Sequence, residues 1–255
     1  MYRENNVVIL IAVVLFGFIS NSISQTTDSS RNPFQLSGSV DITTKGISTI
    51  PSYTLGKPAM IFSMDLGGRL SFEPEFRYSL EGKPWMLLLW GRYDLVDAEK
   101  FHLRIGMNPS LVIKDLSAIS ADSSIQALVL QRSLTNEFYP SYSLTKNIRI
   151  GTYYMYVLGF ESFAARHKHY LALRFRFLDL KILNQFYVNF SPQIYYLKVD
   201  EDHGFFLSSS LDLYRRDFPL SVHALFNKMI QSAIPGSTDF LWNISLRYSF
   251  AKKLY

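Results

Sequence analysis

The residues best suited to chemistry lie in the stretch SSSLDLYRRDFPLSVHALF, which begins at Ser208. Polar and apolar residues alternate on both sides of RRDFP, which predicts two strands joined by a hairpin centred near Asp217. In such a hairpin Asp212 lies opposite His223, and Ser208 and Ser210 lie on the same face. Serine, histidine and aspartate are the nucleophile, base and orienting group of many hydrolases. Ser210, Asp212 and His223 are therefore the catalytic candidates of this sequence.

A structural role explains the same residues without any activity. An interior salt bridge between Asp212 and His223 requires nothing more than the predicted register. The sequence contains no G-x-S-x-G motif or comparable serine-hydrolase signature. The group also points to the interior near a short turn, which a lipid acyl chain would not reach. We therefore predict that the protein is not an enzyme, and a membrane-embedded hydrolase is the remote alternative.

Two other groups of residues have side chains that bind metals in other proteins. His167 and His169 share one strand face, and imidazole pairs occur in zinc sites. Asp200, Glu201 and Asp202 in VDEDHG could attract Ca²⁺. The histidines have no third ligand nearby in the sequence, and the acidic loop lacks the regular spacing of a calcium loop. We predict rim histidines, a solvated loop, no metal and no cofactor.

The elements that position these residues alternate in polarity along almost the whole chain. In RLSFEPEFRYSL, which begins at Arg69, one parity is apolar and the other is polar and charged. Twelve such segments, separated by turn signals, predict β-strands. Their predicted bounds are 34–44, 58–67, 69–80, 84–95, 101–109, 125–139, 147–160, 168–178, 185–199, 204–215, 220–231 and 239–250.

The connections between these segments alternate in length. Short turns such as VDAEK and LTKN alternate with longer or more polar segments such as TTKGISTIPSYTLGK and QSAIPGSTD, with EGKP as the one short exception. Short turns at one end and longer loops at the other are typical of transmembrane β-barrels. We therefore predict an all-β protein: a single antiparallel transmembrane β-barrel of about twelve strands. The alternative is a soluble barrel or a periplasmic sandwich, whose apolar face would meet a second sheet.

Composition agrees with a membrane barrel and excludes several classes of protein. The chain has 255 residues, of which 48% are hydrophobic, 15% aromatic and 18% charged. Soluble domains contain roughly 25% charged residues. Cysteine is absent, so neither a disulfide framework nor a thiolate metal site can form. The net charge is +5, but the basic residues are scattered, which argues against a nucleic-acid partner.

The N-terminal residues predict export. The apolar run 7–19 follows Arg3 and precedes the small residues Ser22 and Ser24, which is the layout of a secretory signal peptide. The run is shorter than the roughly 20 residues that a membrane-spanning helix needs. We predict a signal peptide at 1–24, a flexible leader at 25–33 and an outer-membrane β-barrel at 34–255. The predicted location is the outer membrane of a Gram-negative bacterium.

Parity along the strands predicts the lining of the barrel lumen. If the turn after the fourth strand centres near Ala98, Asp94 lies opposite His102 and Arg92 lies opposite Arg104. The lumen-lining residues predicted by parity are Glu73, Glu75, Arg77, Arg92, Asp94, His102, Arg104, Arg174, Arg176, Asn189, Gln193, Asp212, His223, Asn243 and Arg247.

Two details of the sequence depart from simple alternation. PWMLLLW is apolar on both parities, which predicts that part of the lumen wall is dry or plugged. Pro74 and Pro192 lie inside predicted strands, where each removes a backbone donor, and we expect local bulges there.

Several stretches also carry a resemblance. STIPSYTLGKPAMIF, LSFEPEFRYSLEGKPW and IPGSTDFLWNISLRYSF resemble an uncharacterised group of outer-membrane β-barrel proteins of the Bacteroidota type. The final aromatic strand resembles the assembly signal of such barrels, although AKKLY follows it. The resemblance implies a fold and a location over nearly the whole mature chain, and it implies no reaction.

The lumen leaves two main functions open. Surplus arginine in an open lumen predicts a narrow passive channel for small polar or anionic solutes. Charges that pair across the strands predict instead a structural or interaction barrel with a closed lumen. The expected partners are outer-membrane lipid and the barrel assembly machinery during biogenesis. We expect a monomer with no nucleic-acid partner.

Overall fold

The computed structural model describes residues 35–115 and 128–253. The predicted signal peptide and flexible leader lie outside the described residues and stay predictions. The described chain forms twelve strands and a 3-10 helix, Pro51–Tyr53, and none of its helices is long and apolar enough to cross a membrane. The strands are β1 (Gln35–Thr43), β2 (Ala59–Gly67), β3 (Leu70–Ser79), β4 (Pro84–Asp97), β5 (Phe101–Asp115), β6 (Leu128–Ser143), β7 (Ile148–Gly159), β8 (His167–Leu183), β9 (Phe186–Val199), β10 (Asp202–Arg215), β11 (Leu220–Ser232) and β12 (Phe240–Lys253).

The twelve strands form one closed antiparallel barrel. Each strand pairs with its neighbours in the sequence, and β1 pairs with β12 to close the ring. This confirms the predicted fold and strand number. Gln35 lies opposite Lys253 at one end of the barrel, which we call the turn end because its connections are short. The other end, where β1 leads into residues 44–58, is the loop end, and in bacterial barrels the longer loops are extracellular.

The outer surface of the barrel is apolar. On β3, Leu70 and Phe72 are 67% and 46% exposed, while Ser71 between them is buried. On β12, Trp242 and Leu246 face outward in the same way. In a sandwich these residues would be covered by a second sheet. Their exposure on a closed barrel means that the apolar parity faces lipid, as in transmembrane barrels.

Three strands end four or more residues beyond their predicted bounds. β5 ends at Asp115 instead of 109, β6 ends at Ser143 instead of 139, and β8 ends at Leu183 instead of 178. Pro109 did not end β5, because it pairs in register with Leu134 and its exposed ring faces outward. The alternation then continues through SLVIK, which the sequence interpretation had assigned to a loop.

The expected proline bulges are absent from the described strands. Pro74 lies opposite Leu89, and the register is the same on both sides of it. The same holds at Pro192. Each proline lacks a backbone N–H, so one inter-strand hydrogen bond is lost, but no extra residue is inserted and the register does not change. A register shift lies instead between Asp94 and Val96, where it moves the lumen charges of β4 relative to β5.

Residues 44–58, which we call the plug segment, fold into the loop end of the barrel. Ile50 and Tyr53 in this segment are buried. The indole Nε1 of Trp85 donates a hydrogen bond of 3.0 Å to the Tyr53 carbonyl. Trp85 and Met86 are themselves buried against the plug. The prediction that the PWMLLLW wall is dry or plugged is therefore confirmed.

The lipid-facing parity gives a stability prediction. Leu173 lies near the middle of β8, is 40% exposed and faces outward. Leu173→Arg should lower the free energy of unfolding by about 2–4 kcal/mol, the cost of arginine near the bilayer midplane. Leu173→Met, which stays apolar, should cost under about 1.5 kcal/mol. The measurement is denaturant unfolding of the protein in lipid vesicles, and an equal cost for both variants would contradict a lipid-facing position.

Candidate functional site in the barrel lumen

The lumen has an apolar half at the loop end and a polar half at the turn end. The apolar half is one cluster formed by the plug segment, Ile234 and inward residues of the strands. The polar half contains the arginines, carboxylates and amides that parity predicted. Solute passage from the turn end therefore meets the plug before it reaches the opposite mouth.

The plug segment is a loop whose two ends are tied together. Gly46 N–H donates to Lys57 O at 2.7 Å, and Leu55 N–H donates to Gly46 O at 2.8 Å. The tip reaches the far wall, where the Tyr195 hydroxyl lies 3.4 Å from Thr49 O. Because its ends are already joined, the segment can be shortened without pulling β1 from β2.

Five aromatic side chains form a continuous stack on the inner wall of β6–β10. Neighbouring ring centroids lie 4.7–5.9 Å apart, within the usual range for aromatic pairs. The side chains of this ring stack are Tyr139, Tyr153, Tyr170, Tyr195 and Phe206.

Arg92 is the centre of one ion-pair network in the polar half. Its guanidinium bonds to Glu73 and, at 2.6 Å, to Glu137. The Tyr153 hydroxyl donates to the other oxygen of Glu137 at 2.7 Å. The Glu137 side chain is only 2% exposed. Gly106 lies opposite it, and a Cβ there would meet the carboxylate at 2.7 Å, so glycine makes room for this network.

The register between β4 and β5 differs from the predicted one by two residues. Asp94 lies opposite Arg104 and not His102, while His102 lies opposite Asp97. The difference arises because the β4–β5 turn is centred between Glu99 and Lys100 and not near Ala98, and the one-residue shift after Asp94 offsets part of it. Asp94 and Arg104 form an ion pair with a 2.7 Å contact, so the predicted opposition of Arg92 and Arg104 does not occur.

A second network joins β1, β10, β11 and β12. Asp212 lies opposite His223, as predicted, with Nδ1 and Oδ1 2.7 Å apart. Arg247 contacts Asp212 at 3.4 Å and bonds to the buried Asp41 at 2.7 Å. In this group the carboxylates alternate with the side chains of Arg247 and His223, which agrees with the structural interpretation of Asp212 and His223. Asn243, farther toward the loop end, accepts the Lys45 N–H at 2.8 Å.

The catalytic candidates are only partly brought together. His223 and Asp212 have the contact of a base and its orienting carboxylate. Ser208 donates its hydroxyl hydrogen to Phe226 O at 2.9 Å, away from the imidazole. Ser210 lines a cavity with Asp212. No hydrogen bond in the described chain joins either serine to His223, so the geometry does not activate a nucleophile.

Arg174 and Arg176 differ from the other predicted arginines of the lumen. Both line a cavity of about 340 Å³ that also contains Ser191, Gln193 and Ser210. Arg174 donates to Gln193 at 2.6 Å and lies 3.7 Å from the centre of the Tyr153 ring. Within residues 35–115 and 128–253 neither guanidinium forms an ion pair with a carboxylate, whereas Arg77 pairs with Glu75.

The remaining predicted residues have simpler positions. Asn189 accepts a backbone hydrogen bond from Asp179 at 2.9 Å, which ties it to the β8–β9 hairpin. His167 and His169 lie on the outer face of the barrel. Asp200 accepts the backbone N–H of His167 at 2.7 Å. No cluster of three or more metal-ligating side chains was found in the described part of the chain.

Sequence interpretation missed three parts of the site. Glu137 and Asp41 are buried partners of lumen arginines, and both lie on the inward parity of their strands, so the same rule would have found them. The plug segment gave no periodic signal, and only the apolar wall beside it indicated that something fills the lumen. The ring stack needed the register of five strands, which parity alone does not supply.

Comparison with known proteins identifies the fold and no family. No protein-family model and no curated protein matches this chain. A KdgM porin matches with a TM-score of 0.54 and 9% identity, covering 85% of this chain and 99% of the porin. A KdgM porin in complex with disordered oligogalacturonate matches with a TM-score of 0.53 and 10% identity over the same shares.

A third solved structure is less similar. An outer membrane channel from Pseudomonas putida F1 matches with a TM-score of 0.47 and 9% identity, covering 89% of this chain and 100% of that chain, which is too weak to carry an argument. The two KdgM structures show that this chain has the barrel fold of outer-membrane porins. They do not indicate the Bacteroidota type.

The Arg92 network gives a second prediction. Glu137→Ala removes a buried partner and leaves Arg92 with Glu73 alone, which should lower the free energy of unfolding by about 3 kcal/mol. Glu81→Gln breaks the exposed pair with Lys57 and should cost less than about 1 kcal/mol. Both are measured by denaturant unfolding in vesicles. A Glu137→Ala barrel as stable as the wild type would contradict the role of this network.

Proposed function

We propose that the protein is a narrow passive channel for small polar anions across the outer membrane, with the plug segment closing its loop end in this conformation. The observation that carries the proposal is the pair Arg174 and Arg176. Both line the lumen cavity, and neither has a carboxylate partner among the described residues.

The remaining charge of the polar lumen supports anion preference. Arg92, Arg104 and Arg247 each contact carboxylates, so their charge is largely compensated. The uncompensated charge is concentrated on the β7–β8 wall, where Arg149 lies opposite Arg176 and likewise has no carboxylate partner among the described residues. Positive side chains that line a constriction raise the local concentration of anions and exclude cations. Selectivity is therefore expected to depend on Arg174 and Arg176, which line the cavity, more than on Arg92, Arg104 and Arg247.

The fold comparison is compatible with this solute class. One similar porin was solved with oligogalacturonate, an acidic sugar chain. At 10% identity that likeness carries the fold alone, so the solute of this chain rests on its own arginines. A cavity of about 340 Å³ next to hydroxyl and amide groups has room for a small hydroxylated anion.

A closed interaction barrel is the second candidate, and the apolar cluster at the loop end favours it. Ile50 and Tyr53 pack against strand residues as a protein core does. A permanently seated plug would leave the outer loops or the turn end as the functional surface.

The proposal also covers the location of the protein, its assembly and the absence of an enzymatic role. We infer export through a cleaved signal peptide, assembly by the barrel machinery and a monomer in outer-membrane lipid. The Bacteroidota type is inferred from the quoted sequence stretches. We assign no enzymatic role to Ser210, Asp212 and His223, because the serine hydroxyl has no contact with the imidazole.

Removal of the plug tests whether the lumen can conduct. A variant in which residues 48–54 are replaced by Gly-Gly keeps the tied ends of the segment and removes its buried tip. Its single-channel conductance in a planar bilayer should be severalfold larger than that of the wild type. The control makes the same Gly-Gly replacement at residues 161–164, which lie at the same end of the barrel. It should conduct like the wild type.

If the variant without the plug tip folds but never conducts, the channel proposal is contradicted and the closed interaction barrel is favoured. Heat-modifiable migration in gel electrophoresis shows that each variant is folded before it is tested.

The arginine pair is tested in the barrel without the plug tip. Under a KCl gradient the reversal potential should show anion preference. Arg174→Gln combined with Arg176→Gln should move the potential toward zero, because the two uncompensated charges that line the cavity are removed. Arg216→Gln, in the β10–β11 turn above the Tyr187 ring, should leave it unchanged. Unaltered selectivity in the double variant would contradict the assignment of the selectivity site.

A further inference from the structure

The outer face of β6–β10 carries a polar row in a surface that is otherwise apolar. Five residues are direct cross-strand neighbours along it, from one strand to the next. With strands about 4.8 Å apart, the row is about 19 Å long. This polar row consists of Asn136, Tyr156, His169, Lys198 and His203.

The opposite side of the barrel provides a matched comparison. There the equivalent outward row is Tyr78, Met60, Ile42, Leu246 and Val222, all of which are apolar or aromatic. Tyr78, Met60 and Ile42 lie one residue from the loop end of their strands, as Lys198 and His203 do, while Leu246 lies in mid-strand and Val222 near the turn end. At the same distance from the loop end, the outer face is therefore apolar or aromatic on β1–β3 and polar on β9–β10.

The residues of the polar row face outward and not into the lumen. Lys168 and Tyr170, on either side of His169, are each 1% exposed and point inward. Leu197, next to Lys198, is fully buried. By alternation, His169 and Lys198 point to the membrane side.

Hydrogen bonds fix two imidazoles of this wall with one nitrogen each to spare. The Tyr154 hydroxyl contacts His169 Nδ1 at 2.9 Å, and the Tyr156 hydroxyl contacts His167 Nδ1 at 2.8 Å. When the phenol donates to Nδ1, the neutral imidazole carries its proton on Nε2. The ring then keeps an N–H on Nε2, and the cross-strand neighbour of His169 is Lys198. Together these groups form a set of donors with a positive centre.

Asp200, Glu201 and Asp202 lie at the β9–β10 turn beside this set, and no ion pair joins them to His169, Lys198 or His203 within the described chain. Asp200 accepts the backbone N–H of Arg166 at 3.1 Å and of His167 at 2.7 Å. Its carboxylate is thus held by the β9–β10 turn.

A second row, one step toward the turn end, is apolar. Tyr154, Leu171, Tyr196 and Phe205 are cross-strand neighbours directly below the polar row. Leu171 and Phe205 are both 45% exposed. The donors lie nearer the loop end and the apolar strip lies nearer the turn end. This arrangement matches an amphiphile whose anionic headgroup is at the membrane surface and whose acyl chains are in the membrane.

We propose that His169, Lys198 and His203 bind a phosphate of an outer-leaflet glycolipid, whose acyl chains lie on the Tyr154–Phe205 strip. The loop end faces the outer leaflet in barrels of this kind. Basic side chains at the membrane surface bind anionic headgroups in general. This site does not depend on whether the lumen conducts, so its failure and that of the channel proposal are separate results.

The test uses the full barrel in detergent micelles with diphosphoryl lipid A as the probe, and native mass spectrometry counts the bound lipid. The variant His169→Gln, Lys198→Gln and His203→Gln should bind about tenfold more weakly than the wild type. Lys198→Gln alone should bind about fivefold more weakly, which keeps the test decisive if the triple variant does not fold. Lys228→Gln, which removes an outward lysine paired with Asp239, should bind as the wild type does.

Two further arms identify the ligand. Lipid A without its phosphates should bind about tenfold more weakly than the diphosphoryl form. Inorganic phosphate should fail to displace the lipid, since it lacks acyl chains. Equal binding of both lipids, displacement by inorganic phosphate, or wild-type affinity in both the triple variant and Lys198→Gln would overturn the proposal.

Discussion

Closure of β1 on β12 is the constraint on which the rest of the molecule depends. In a bilayer each backbone N–H and C=O has to be paired within the protein, and a closed ring of strands achieves this without an edge. Twelve strands enclose more space than inward side chains fill, since about eight already give an interior that side chains pack. The lumen of this chain is therefore filled by something else: the plug segment in one half, and ion pairs around a cavity in the other.

The arginines of the polar half differ in whether a carboxylate compensates their charge. Arg92 and Arg247 are held by carboxylates, so they stabilise the barrel and leave little field in the lumen. Arg174 is held against the Tyr153 ring at 3.7 Å and by the neutral Gln193. A cation–π contact fixes a guanidinium in place without cancelling its charge. The uncompensated charge of Arg174 thus lies on the aromatic wall of the lumen. For this reason we assign the anion preference to the β8 side.

The alternation of polar and apolar residues predicts most of the fold. It predicts all twelve strands and most of the inward charges, because period two is imposed by the pleat itself. It does not fix the turn centre between β4 and β5, which sets the partner of Arg104, and it does not show that β5 continues past Pro109. The plug segment has no period, so its inward fold follows from tertiary packing against Trp85 and could not be derived locally. Glu137 carried the right parity and was overlooked among its small polar neighbours.

The ring stack and the polar row lie on the same strands, and the alternation links them. On β8 and β9, Tyr170 and Tyr195 point inward while His169 and Lys198 point outward. Near the loop end this wall is aromatic inside and polar outside, whereas the turn half of the barrel is polar inside and apolar outside. An aromatic inner wall is costly in a water-filled lumen, which favours the plug that covers it. A polar outer wall is costly in hydrocarbon, which favours a polar headgroup beside it. One reversed wall therefore accounts both for the closed loop end and for the proposed lipid site.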